Sequence, residues 1–147
     1  MEWPDRLVRE SFARQDFMVT IGARLSSVAA GAVEIRVPVR PGLLQQHGYV
    51  HAGVVSAIAD TAAGYAAMTL LPRGTEVVTA EFKINFLRPA QGDELVARSR
   101  VLRSGRRLTI VACDVYAAAG GAEPCVATLL GTIAHRLDGT GVRPATQ

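Results

Sequence analysis

Over much of the chain apolar residues fall at every second position. Over one central stretch they do not alternate at all. Val33, Ile35 and Val37 alternate with Glu34, Arg36 and Pro38, which predicts a half-buried strand. The mixed but strand-like run from Met18 to Val28 lies before it, across the turn signal Ala29-Ala30-Gly31, so the two read as a hairpin. Residues 5–15 set Leu7, Val8, Phe12 and Ala13 on one side and predict a short helix. Pro41-Gly42 breaks the pattern, and 43–51 reads as a loop. From Ala52 to Leu71 there is no Lys or Arg, and Pro72-Arg73-Gly74 supplies a stop, so this is the long helix. Four more strands are predicted at about 77–87, 94–103, 107–117 and 124–137, with turns at Ser104-Gly105 and Gly120-Gly121. In the first of these, Ala80, Phe82, Ile84 and Phe86 should share one face, with Thr79, Glu81, Lys83 and Asn85 on the other.

The order β-β-α-β-β-β-β with short turns predicts an α+β fold. A largely antiparallel sheet must cover one long apolar helix. The expected division is a short N-terminal helix over 1–16, one domain over 17–137 and a frayed tail over 138–147.

Composition sharpens this picture. Of 147 residues 49% are hydrophobic but only 5% aromatic, and 23 are Ala. The apolar mass is in small side chains, which points to close backbone approaches. The net charge is +3, and Lys83 is the single Lys beside 15 Arg. These cations form no block or basic arm, so no nucleic-acid partner is expected. Cys113 and Cys125 make no disulfide framework and read as buried hydrophobes. The N-terminus has no apolar signal region. Asp60 in the middle of the long helix argues against a membrane span. The cytoplasm is therefore the expected compartment. Three scattered His residues without acids at ligand spacing give no reason to expect a metal or other cofactor.

Asp60 is the residue that breaks the local rules. Its neighbours three, four and seven positions away are Gly53, Ser56, Ala57, Ala63, Gly64 and Ala67, all small. Aspartate is poor inside a helix and is rarely buried unpaired. It either bonds a neighbouring loop or does chemistry. The loop ahead of the helix contains Gln45, His47, Gly48, Tyr49 and His51. A helix start offers unpaired N–H groups that stabilise an oxyanion. A carboxylate on the same helix can serve as nucleophile or general base.

The string His47-Gly48-Tyr49-Val50-His51-Ala52-Gly53, followed by Ala59-Asp60-Thr61-Ala62, resembles the PaaI-like acyl-CoA thioesterases of the hotdog fold. The resemblance implies a long helix wrapped by a curved antiparallel sheet. It also implies an acyl-CoA substrate and a homodimer or homotetramer whose sites lie between chains. By resemblance, Asp60 is the catalytic carboxylate, and the N–H at Ala52, with Gly53, polarises the thioester carbonyl. Gln45 stands where the family often has Asn, Thr79 stands where a Ser or Thr contacts the water, and Asp60 and Gln45 come from different chains. Ala52 and Gln45 depart from the usual Gly and Asn. His51 is expected to shape the helix start, and Tyr49, Tyr65, Met68 and Phe82 to border the acyl group. Arg103, Arg106 and Arg107 around the Ser104-Gly105 turn either hold coenzyme A phosphates or form a solvated hairpin end. Two rival functions remain. One is a dehydratase or hydratase acting on acyl thioesters, and the other is an acyl-CoA binding module without turnover.

Overall fold

A computed structural model describes residues 4–136. Leu137 and the expected tail over 138–147 lie outside the described residues. Two short helices, α1 (Asp5–Phe12) and α2 (Asp16–Ile21), precede the hairpin β1 (Arg24–Ala29) and β2 (Ala32–Pro38). The long helix α3 (Ala52–Met68) follows a single 3-10 turn at Pro41–Leu43. The chain then runs through β3 (Glu76–Phe86), β4 (Glu94–Ser104), β5 (Leu108–Ala118) and β6 (Cys125–Arg136). All six strands form one antiparallel sheet in the order β1-β2-β4-β5-β6-β3. The α3 crossover therefore carries the chain from one side of the sheet to its opposite edge, where, among the described residues, β3 pairs only with β6.

Two expectations change here. The segment read as strand from Met18 begins instead as α2. Met18 and Ile21, three apart, are its buried face, and Gly22 ends it at φ +75°. The expected 16/17 boundary thus falls at the start of a helix. In β3 the face assignment holds from Glu81 to Phe86 but fails at Thr79, because the pairing with β6 slips by one residue between Thr79 and Glu81. Thr79 lies opposite Ile133, Phe82 opposite Gly131 and Ile84 opposite Leu129, all on the helix side of the sheet. The extra residue at Ala80 reverses the alternation, so Thr79 shares the inner face with Phe82 instead of opposing it.

The core lies between α3 and the sheet. Ala59, Ala62, Ala63, Ala66 and Ala67 are buried, and they bring the helix close to Ile35, Leu95, Val111, Leu129 and Ile133. This is where the many small residues go. Ala63 and Ala67, small neighbours of Asp60 on its own helix face, are therefore packed in this core. Two hydroxyls pin the helix. Ser99 of β4 donates to the carbonyls of Ala62 and Val33. Thr69 accepts from the Gly31 N–H and donates to the Ala66 carbonyl just past the C-terminus of α3. The α-helix itself stops at Met68, three residues short of the predicted end.

An ion-pair network joins β2 and β4. Glu34 accepts from Arg36 at 2.7 Å and from Arg98 at 2.8 Å, and Arg98 also reaches Glu123 at 2.9 Å. Burial alone would push the Glu34 carboxyl up, but hydrogen bonds from Arg98, Arg36 and Ser26 outweigh it and hold it below the ordinary range. A depressed carboxyl contributes stability above its unfolded value, and that stability is lost as pH falls through the folded value. Glu34→Gln is expected to lower the urea midpoint at pH 7, with the gap to wild type closing below about pH 4. A gap that stays constant down to pH 3 would assign the loss to packing.

Candidate active site

Three local features build the N-terminus of α3. Gln45 staples its own loop: its Oε1 accepts from the N–H groups of His47 (2.5 Å) and Tyr49 (3.3 Å). Gly48, at φ +85°, makes the turn inside that loop. His51 then caps the helix, its Nδ1 accepting from the Gly53 N–H at 2.7 Å. A Cβ on Gly53 would sit 2.8 Å from that ring nitrogen, so the His-x-Gly spacing makes room for the imidazole. His51 therefore shapes the helix start, as expected. The Gly53 N–H, expected to share in carbonyl polarisation, is spent on this cap. Among the described residues the Ala52 N–H has no acceptor, and it remains available.

Asp60 is half-buried on α3, and its Oδ1 accepts from Thr79 Oγ1 at 2.6 Å. The bulge in β3 makes this contact by turning Thr79 inward. Among the described residues Oδ2 has no hydrogen bond. The carboxylate opens into a cleft of about 570 Å³ between α3, the start of β3 and α1. Gly64, Tyr65, Met68, Val77, Leu7 and Ser11 help line it. α1 is held there through Tyr65, whose hydroxyl accepts from Gln15 at 2.8 Å and bonds Ser11 at 3.1 Å. Tyr65 and Met68 thus line the Asp60 cleft, but the sequence did not foresee α1 as a wall of the site.

A second cleft of about 380 Å³ lies at the other end of α3, lined by Gln45, Tyr49, Ala52, Phe86, Leu87 and Arg88 among others. Eight residues separate Ala52 from Asp60, about 12 Å along a helix axis. One chain alone cannot bring both groups within about 3 Å of a reacting carbonyl. Arg103, Arg106 and Arg107 line neither cleft.

Other reactive groups are set aside by their surroundings. Burial pushes the Cys113 thiol up to about 12. Cys125, only half-buried, is also raised, first by burial. Neither is a ready thiolate at neutral pH. His135 is buried on β6 and lines neither cleft, and His47 is exposed. Among the described residues no three His, Cys, Asp or Glu side chains gather into a metal-binding group. No helix among them is long and apolar enough to cross a membrane.

The sequence model of the thioesterase superfamily matches residues 47–123, from the loop before α3 through β5. The chain belongs to the thioesterase superfamily. A thioesterase family protein from Silicibacter pomeroyi is 44% identical, with a TM-score of 0.87 over 89% of this chain and 96% of that one. A conserved protein of Pseudomonas aeruginosa is 28% identical, with a TM-score of 0.78 over 90% and 100% of the two chains. A variant of the phenylacetic acid degradation protein PaaI from Thermus thermophilus is 26% identical, with a TM-score of 0.71 over 82% and 98%. The curved sheet around α3 is the hotdog fold, and this thioesterase is a thioester hydrolase of the PaaI-like kind.

Proposed function

We propose that the protein hydrolyses aryl- or medium-chain acyl-CoA to the free acid and coenzyme A, with each site shared between two chains. One observation carries this reading. A carboxylate with a free oxygen, Asp60, and an unpaired helix-start N–H, Ala52, lie about 12 Å apart on one helix. They become partners only when a second chain supplies one of them. The exposed edge strand β3 is the natural seam. Val78, Phe82 and Phe86 leave large apolar surface there, with Leu87 just beyond the strand. A homodimer or a dimer of dimers would cover it.

In this mechanism Asp60 takes a proton from water, and the resulting hydroxide attacks the thioester carbonyl. The oxyanion is held by the N–H of Ala52 of the partner subunit. The carbon–sulfur bond then breaks, and Asp60 returns the proton to the departing thiolate. Direct attack by Asp60, giving a mixed anhydride that water cleaves, balances equally well. Thr79 is a positioning residue that orients the carboxylate. The Gln45 amide has its oxygen tied to the loop, and its nitrogen, without a partner among the described residues, faces the substrate. Tyr49 and Arg88 border the coenzyme A side. No cofactor is needed, and the cytoplasm is the proposed compartment.

The test is a panel of aryl- and alkanoyl-CoA esters with free thiol trapped as it forms. Thiol release supports hydrolysis. Hydration of an enoyl-CoA without thiol release would favour the hydratase reading, although the His51 Nδ1 is already occupied by the Gly53 N–H. Tight binding with neither reaction would make the protein a binding module.

A further inference from the structure

We infer that the acyl tail runs from Asp60 toward the C-terminus of α3, over Gly64 and beneath α1, and that Gly64 and Leu7 set the size of tail accepted. The inference rests on the hydrolase reading above. No residue of α3 before Asp60 lines the 570 Å³ cleft, whereas Gly64 and Met68 do. A group reacting at Asp60 can therefore extend within this cleft in one direction only. Asp60 and Met68 are eight residues apart, about 12 Å, which an extended chain of about nine carbons fills.

Gly64 is the decisive position. A glycine inside a helix is costly compared with alanine. Packing within the chain does not require this one, because a Cβ built there meets nothing within 4 Å. Its φ is not positive, so backbone geometry does not require it either. The methyl it lacks would project into the cleft one turn beyond Asp60, where a tail must pass. The opposite wall is α1, which lies outside the segment matched by the superfamily model. That wall is clamped by the Tyr65 hydroxyl to Ser11 and Gln15 and by the tilted Phe12–Tyr65 ring pair, centroids 6.0 Å apart.

The experiment compares kcat/KM for propionyl-CoA, octanoyl-CoA and dodecanoyl-CoA in wild type, Gly64→Ala and Leu7→Ala. A propionyl group stops short of Gly64, and an octanoyl group must pass it. Gly64→Ala is expected to lower the octanoyl-to-propionyl ratio at least tenfold while Tm stays level or rises. Leu7→Ala is expected to raise the dodecanoyl-to-octanoyl ratio. An octanoyl-to-propionyl ratio within twofold of wild type in Gly64→Ala overturns the channel. So does an equal loss on both esters with a fall in native mass, because Gly64 would then serve contact between chains. If wild type cleaves none of the three, the hydrolase reading fails separately. The channel is then judged by the dissociation constants of the same intact esters. A tenfold weaker octanoyl-CoA, relative to propionyl-CoA, in Gly64→Ala upholds it, and an unchanged ratio overturns it.

Discussion

Asp60→Asn is expected to lower kcat on acyl-CoA by roughly 10³–10⁴-fold, with Tm within a few degrees of wild type. The substitution preserves shape. An asparagine oxygen can still accept the Thr79 hydroxyl that lies 2.6 Å from Oδ1. What disappears is the charge and basicity at Oδ2, the oxygen with no partner among the described residues. Loss of activity with an intact melt therefore reports chemistry and not folding. The control is Thr79→Val, which leaves the carboxylate in place but frees its orientation. Its loss should be far smaller, about tenfold, because it removes one positioning hydrogen bond. Asp60→Asn turning over within tenfold of wild type would sink the mechanism.

Ala52→Pro should cost roughly 10²–10³ in kcat, the loss typical of removing one oxyanion donor. Proline is usually a poor probe inside a helix, but Ala52 is the first helical residue. There the missing N–H breaks no helical bond, and the fixed φ suits the helix. The preceding residue, His51, is at φ −59° and ψ 134°, the extended region that a following proline demands. The helix and its His51–Gly53 cap should survive, and only the free N–H is lost. The same variant tests the shared site. Asp60→Asn and Ala52→Pro chains, unfolded and refolded together in equal amounts, should recover about a quarter of wild-type activity. Half of the dimers are mixed, and each mixed dimer holds one intact site. Activity no higher in the mixture than in either parent would mean that each chain works alone.

Much of the architecture was legible in periodicity. Alternation marked β2, β4, β5 and β6, and the run without Lys or Arg before Pro72 marked α3. The failures came where a local pattern meets a tertiary constraint. Residues 16–21 contain Phe, Met, Val, Thr and Ile, which suit a strand as well as a helix. Packing of Met18 and Ile21 against the core decided for the helix. The β3 bulge left no signature in the sequence, because an inserted residue is visible only once the partner strand is known. It also changed the face of Thr79, so family resemblance named Thr79 as a site residue, but its inner face and its hydrogen bond to Asp60 were not foreseen.

By itself the sequence determined the α+β class, the single long helix, the anomalous Asp60 and the helix-start loop, because these follow from composition and short-range spacing. Only the tertiary structure could reveal that His51 consumes the Gly53 N–H, that α1 walls the Asp60 cleft, and that Ala52 and Asp60 open into separate clefts. Those are facts of distance between segments far apart in the chain. Spacing along a sequence fixes the rise along one helix, but not which other surfaces fold over it or which must be supplied by a second chain.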